Sequence, residues 1–185
     1  MPSWKVHRII GKIVCVGFYD NEIDRLIDMI GEHDAGRYDP RVLHEHFKYV
    51  KERWGEKGII YYVLHHVLDR LSDILVSELS RLCEEYVLKG ALLEELYDEL
   101  LKKSLERLRL DVKNFPKTGD EKIDRVLRLT IEYIIATLEV SWEAAVAFLI
   151  TDMSSTGEPM VAKRVLKRND GKVCSIHIQI WKKAR

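Results

Sequence analysis

The sequence predicts an α+β fold: a bundle of about five helices packed on a small antiparallel sheet, and three observations predict it. Leucine stripes at helical spacing fill the middle of the chain, from about residue 20 to 138. An Asp170-Gly171 step separates two short β-branched runs near the C-terminus, a hairpin signal. The opening run, residues 4–17, is rich in Val and Ile and stands outside any leucine stripe. With 185 residues, 46% apolar and 32% charged, residues 1–185 read as one domain able to bury a sizeable core.

Residues 4–17 are expected to form an N-terminal strand, with Gly11 marking a bulge or a close approach. Asp20 or Asn21 caps a short helix whose first turn carries Glu22 and Asp24, where the helix dipole favours acids. Pro40 behind Asp39 starts the next helix, and Gly55 and Gly58 end it and open the longest one, to Tyr86. There Leu64, Leu68, Leu71, Leu75, Leu79 and Leu82 form a wide apolar face. A leucine-rich helix runs to about Leu110 and another from Glu121 to Leu138, which should be the most buried. Residues 140–151 suit either a helix or a strand and are read as a strand. With Met160–Leu166 and Val173–Trp181 it makes a C-terminal meander, so the sheet spans residues 4–17 and 140–182.

Charge is divided unevenly along a chain of zero net charge. From Glu158 onward eight basic residues face two acidic ones. If both ends join one sheet, that sheet is a basic surface on an acidic helical body, suited to phosphate or carboxylate groups. Lys163, Arg164, Lys167, Arg168, His177 and Trp181 are its candidate binding residues. The leading functional expectation is therefore a non-enzymatic binding or regulatory protein holding an acidic partner, nucleic acid or an anionic ligand. Glycine-rich phosphate loops, GxSxG and HExxH are all absent, which leans away from an enzyme. A purely structural interaction subunit is a further alternative. The leucine faces also suggest a homodimer.

The competing expectation is a metal-dependent hydrolase or nuclease. No cofactor is required by any motif, and a divalent metal is the one candidate. His65 with Asp69 one turn later pairs a ligand with an acid, and His46 on the preceding helix could lie level with His65 across a turn at Gly55–Gly58. His33-Asp34 is a second candidate pair. That pair resembles the central dyad of HD-type phosphohydrolases, a family that adds an upstream helical His, where this sequence has only His7 in an expected strand. Arg41 to His46 resembles the Arg-x4-His spacing of HEPN-type ribonucleases, as Arg37 to His44 resembles its longer variant, although that family carries it late in an all-helical bundle.

Cys15, Cys83 and Cys174 form no CxxC pair, which argues against a thiolate zinc site and leaves a Cys15–Cys174 bridge as an option. One Gln and three Asn beside many charged residues fit a hyperthermophile. The apolar run Ile131–Ile150 contains Glu132, Glu139 and Glu143, and no leader pattern opens the chain, so a cytoplasmic location is expected.

Overall fold

The opening run is a helix. The structure, a computed structural model, describes residues 3–15, 17–28, 39–89, 93–115, 117–155, 165–167 and 173–175, and α1 spans Trp4–Val14. Its buried residues Val6, His7, Ile10, Gly11 and Val14 recur every three to four positions, which is the helical period. The β-branched content that suggested a strand does not decide the matter, because strand preference is mostly a preference for a half-buried surface and tertiary packing overrides it. Gly11 marks a close approach: a Cβ there would stand 2.7 Å from Cε2 of Tyr61.

Helix α2, Asn21–Ile27, is capped by Asp20, whose carboxylate accepts the Glu22 N–H. Helix α3, Pro40–Lys89, is broken at Gly55, where φ is 66°. His46 and Tyr62 touch at 3.3 Å although a straight helix would set them roughly 24 Å apart. The chain therefore folds back at Gly55 into two antiparallel arms. Only a residue tolerant of positive φ makes this turn cheaply.

From Tyr61 to Asp69 every residue of the second arm is buried. This arm is the centre of the molecule: α1, α2, α4 (Leu93–Asp111) and α5 (Glu121–Val140) all pack against α3. The leucines of its apolar face, Leu64 to Leu82, are buried within the chain. Helix α5 is less buried than its composition suggested, with Leu129 and Tyr133 largely exposed.

Residues 140–151 also depart from expectation. Helix α6, Trp142–Ser155, buries Trp142, Ala145, Val146, Leu149 and Ile150 at spacings of three and four. The apparent alternation of Val140, Trp142, Ala144 and Val146 was accidental, since alternate positions here do not share a face. Among the described residues the only strands are Val165–Lys167 and Val173–Ser175, paired antiparallel with Leu166 opposite Cys174. The α+β reading is therefore corrected: among the described residues six helices form the body, and α1 and α6 belong to it instead of to a sheet. No single described helix is long and apolar enough to cross a membrane, and the one pair that passes jointly, α5 with α6, is bent by 89°.

Cys15 caps the C-terminal end of α1 as a free, buried thiol, pushed by burial up to about 12. In the native protein at pH 8 it should resist iodoacetamide, and peptide mapping should find it alkylated only after unfolding; modification at the rate of a free thiol would contradict this packing. Gly11→Ala should destabilise the fold by about 1–3 kcal/mol through overpacking against Tyr61, outweighing a helix-propensity gain of about 1 kcal/mol. Urea denaturation measures the balance.

Candidate metal centre

Three helices bring polar groups to one buried point. On the second arm of α3, His65 and Asp69 are one turn apart and share a face. Helix α1 supplies His7, and α2 supplies Asp24 and, just past its last turn, Asp28. His7, His65, Asp69 and Asp24 are at most 3% exposed.

Hydrogen bonding fixes which ring nitrogens face the centre. His7 Nδ1 lies 3.2 Å from the Ser3 carbonyl oxygen, which can only accept, so this nitrogen carries a proton. His65 Nδ1 donates in the same way to Asp24 Oδ1 at 3.1 Å. Each Nε2 then turns toward Asp69: His7 Nε2 is 3.3 Å from Oδ1 and His65 Nε2 is 3.5 Å from Oδ2. None of these approaches is aligned as a hydrogen bond, and His7 Nε2, His65 Nε2 and Asp69 Oδ2 are buried without an aligned partner. Lone pairs facing one another across a dry gap repel unless a positive charge lies between them. One donor atom from each of these three residues falls within a 4.8 Å group that could hold a metal ion.

Asp24 organises the surroundings. It also accepts from Tyr61 Oη at 2.8 Å and from Arg8 Nε at 3.4 Å. Burial and the adjacent Asp24 charge hold the Tyr61 hydroxyl protonated far above the usual tyrosine range. Asp28 accepts from Trp4 Nε1 at 2.7 Å, and its Oδ2 stands 3.4 Å from His65 Nε2. Burial raises the Asp28 carboxyl, but His65 and the Trp4 N–H bring it down to about 2, so it stays ionised.

As a cation site the cluster is favourable in its donors and strained in its ring geometry. Two imidazole nitrogens and a carboxylate are a common donor set for divalent transition ions. The two imidazole rings, however, are stacked, 3.8 Å apart and 12° from parallel. An ion on the lone pair of one ring lies out of the plane of the other, so binding requires the rings to fan apart.

Of the residues singled out in the sequence, His65 and Asp69 are brought together and His46 is not. Across the Gly55 turn the residue level with His46 is Tyr62, and its place in the cluster is taken by His7. His33, Asp34, Arg37, Lys163, Arg164, Arg168, His177 and Trp181 lie outside the described residues. Of Lys167 only the backbone is described, in the first short strand. The expected basic sheet loses its N-terminal half, because Lys5, Arg8 and Lys12 belong to α1. Arg41 pairs with Asp39 at 3.5 Å, away from His46's partner.

Two site residues were missed. His7 was hidden by the strand reading, although Val6, Ile10 and Val14 carry a helical spacing that would have placed it beside the core. Asp24 looked like an ordinary first-turn acid, yet Ile23 and Ile27 on either side already mark it as near the buried face.

In the metal-free protein the cluster holds a proton. Burial alone would push His65 down, but Asp24, Asp28 and the charge of Asp69 lift it to about 9 from an ordinary 6.5. A pKa raised on folding stabilises fully below about 6.5, and that contribution disappears as pH rises through about 9. With chelator present, urea denaturation should show stability falling by on the order of 3 kcal/mol between pH 6 and 10. The part of the decline below pH 9 should be absent in His65→Gln, the part above it being shared with the buried Cys15 thiol, and a flat wild-type profile would refute this charge state. No protein family, curated protein or solved structure matches the chain, so its function has to be read from the chemistry of its own residues.

Proposed function

We propose that the protein binds a divalent transition-metal ion between α1 and the second arm of α3, with His7 Nε2, His65 Nε2 and the Asp69 carboxylate as ligands. The observation that carries this reading is the pinning of both Nδ1 atoms, by the Ser3 carbonyl and by Asp24, which leaves both Nε2 atoms directed at a buried carboxylate. Charge balance supports it. Asp24, Asp28 and Asp69 contribute three negative charges against Arg8 and, in the metal-free protein, the His65 proton, so the site lacks one positive charge, and an ion that displaces that proton would supply it. The donor set, nitrogen and oxygen without thiolate, suits Zn2+, Fe2+ or Mn2+ better than Cu+.

When bound, such an ion supplies a Lewis acid and a link between helices. Three protein donors are fewer than a closed structural zinc site uses, which favours a second reading, metal-assisted hydrolysis. Asp28 supports that reading: it is ionised, fixed by Trp4 and 11% exposed, and its Oδ2 stands 3.4 Å from His65 Nε2. It would orient water reaching the site by accepting its hydrogen bond.

The protein purified without chelator should carry about one equivalent of zinc, iron or manganese by elemental analysis. His7→Ala, His65→Ala and Asp69→Ala should each lose it. After chelation, adding back the ion should raise the melting temperature of wild type alone. Metal-free wild-type protein whose melting temperature ignores all three ions would overturn the proposal.

A further inference from the structure

A carboxylate of α6, 149 residues along the chain, holds the residue whose carbonyl meets His7. Ser3 precedes the first residue of α1, where a serine ordinarily turns its hydroxyl inward to accept a free backbone N–H of the first turn. Here it makes no such cap. Its Oγ donates outward to Asp152 Oδ1 at 2.7 Å, while its backbone N–H donates to Asp152 Oδ2 at 2.6 Å. Both oxygens of Asp152, on α6, therefore clamp one residue. The carbonyl of that same residue accepts the Nδ1 proton of His7 at 3.2 Å and the backbone N–H of Val6 at 2.9 Å.

We infer that Asp152 is a positioning residue for the metal centre: by clamping Ser3 it fixes the carbonyl that selects the tautomer and orientation of His7. The inference rests on the proposed ion site. It assigns Asp152 to His7 the part that Asp24, in direct contact, plays for His65. Without the clamp, the Ser3 carbonyl is held only by the first turn of a helix lacking its serine cap, and helix ends fray. The His7 ring then loses its single fixed acceptor and populates both tautomers, one of which puts a proton on the ligand atom. Residues that orient a metal-binding histidine in this way typically change affinity about ten- to a hundredfold when removed.

The test compares Zn2+ affinity, by competition with a chelating dye, in wild type, Asp152→Ala, Asp152→Asn, Ser3→Ala and Trp142→Phe. The last is the control for a loosened α6. The Trp142 indole anchors the start of that helix to the Leu101 carbonyl at 2.9 Å and has no part in the Ser3 clamp. Asp152→Ala should weaken Zn2+ binding about ten- to a hundredfold. Asp152→Asn, which keeps one good acceptor, and Ser3→Ala, which keeps the backbone N–H, should fall between it and wild type. Trp142→Phe should stay within about twofold of wild type.

The second readout is the 15N shift of the His7 ring in metal-free protein. It should report a proton on Nδ1 in wild type and a mixed tautomer in Asp152→Ala. Wild-type affinity together with an unchanged tautomer in Asp152→Ala overturns the inference, as does an equal loss in Trp142→Phe. If wild type binds no Zn2+, the ion site itself is wrong, and the tautomer measurement still decides whether Asp152 orients His7.

Discussion

A carboxylate with no exposed surface holds this fold together at its centre. Asp24 accepts bonds from Tyr61 and His65 on α3 and from Arg8 on α1, while its own backbone belongs to α2. An ionised group at that depth is strongly unfavourable unless each oxygen finds donors, so the three helices have few relative placements that satisfy it. The leucine seam supplies most of the driving force for collapse, but leucines tolerate sliding and rotation. A buried acid with assigned donors does not, and such networks are one way a core comes to specify a single arrangement.

The same constraint explains why α1 packs where it does. Read alone, α1 is a basic amphipathic segment with Lys5, Arg8 and Lys12, and such charge invites thoughts of an anionic partner. One of those cations instead points inward to Asp24, and Trp4 at the first turn closes on Asp28. Part of the charge asymmetry that looked external is satisfied within the chain. Gly11 completes the fit by letting the Tyr61 ring, whose hydroxyl reaches Asp24, lie against the α1 backbone.

How much of this could be read in the sequence depends on the range of the interaction. Helices carried by local period were legible: Asp20 before α2, the start of α5 at Glu121 and the Gly55 break in α3 all appear where side-chain chemistry, period or glycine content suggested. His65 with Asp69 was legible because four residues along a helix is one turn. The strand reading of α1 failed because Val and Ile report burial as much as strand geometry, and the strand reading of α6 failed because alternation over a few residues arises by chance. His7, Asp24 and Asp152 become site residues only through contacts across tens of residues, and no local pattern encodes which helix a given face will meet. The level partner of His46 shows the same limit: the turn was foreseen, but its register, one turn short of His65, is set by how Gly55 reverses the chain.

That reversal has a consequence for the order in which the protein assembles. Because the two arms of α3 meet through a single glycine, their pairing joins residues only about sixteen positions apart, a low-cost loop closure that can form early. His7 and His65, by contrast, are separated by nearly sixty residues, and Ser3 reaches its partner across 149. The hairpin is a local scaffold, whereas the cluster of imidazoles and carboxylates exists only when α1 and α2 have docked on it. The chemistry of the centre is in that sense a late property of the fold, present once α1 and α2 have closed on the hairpin.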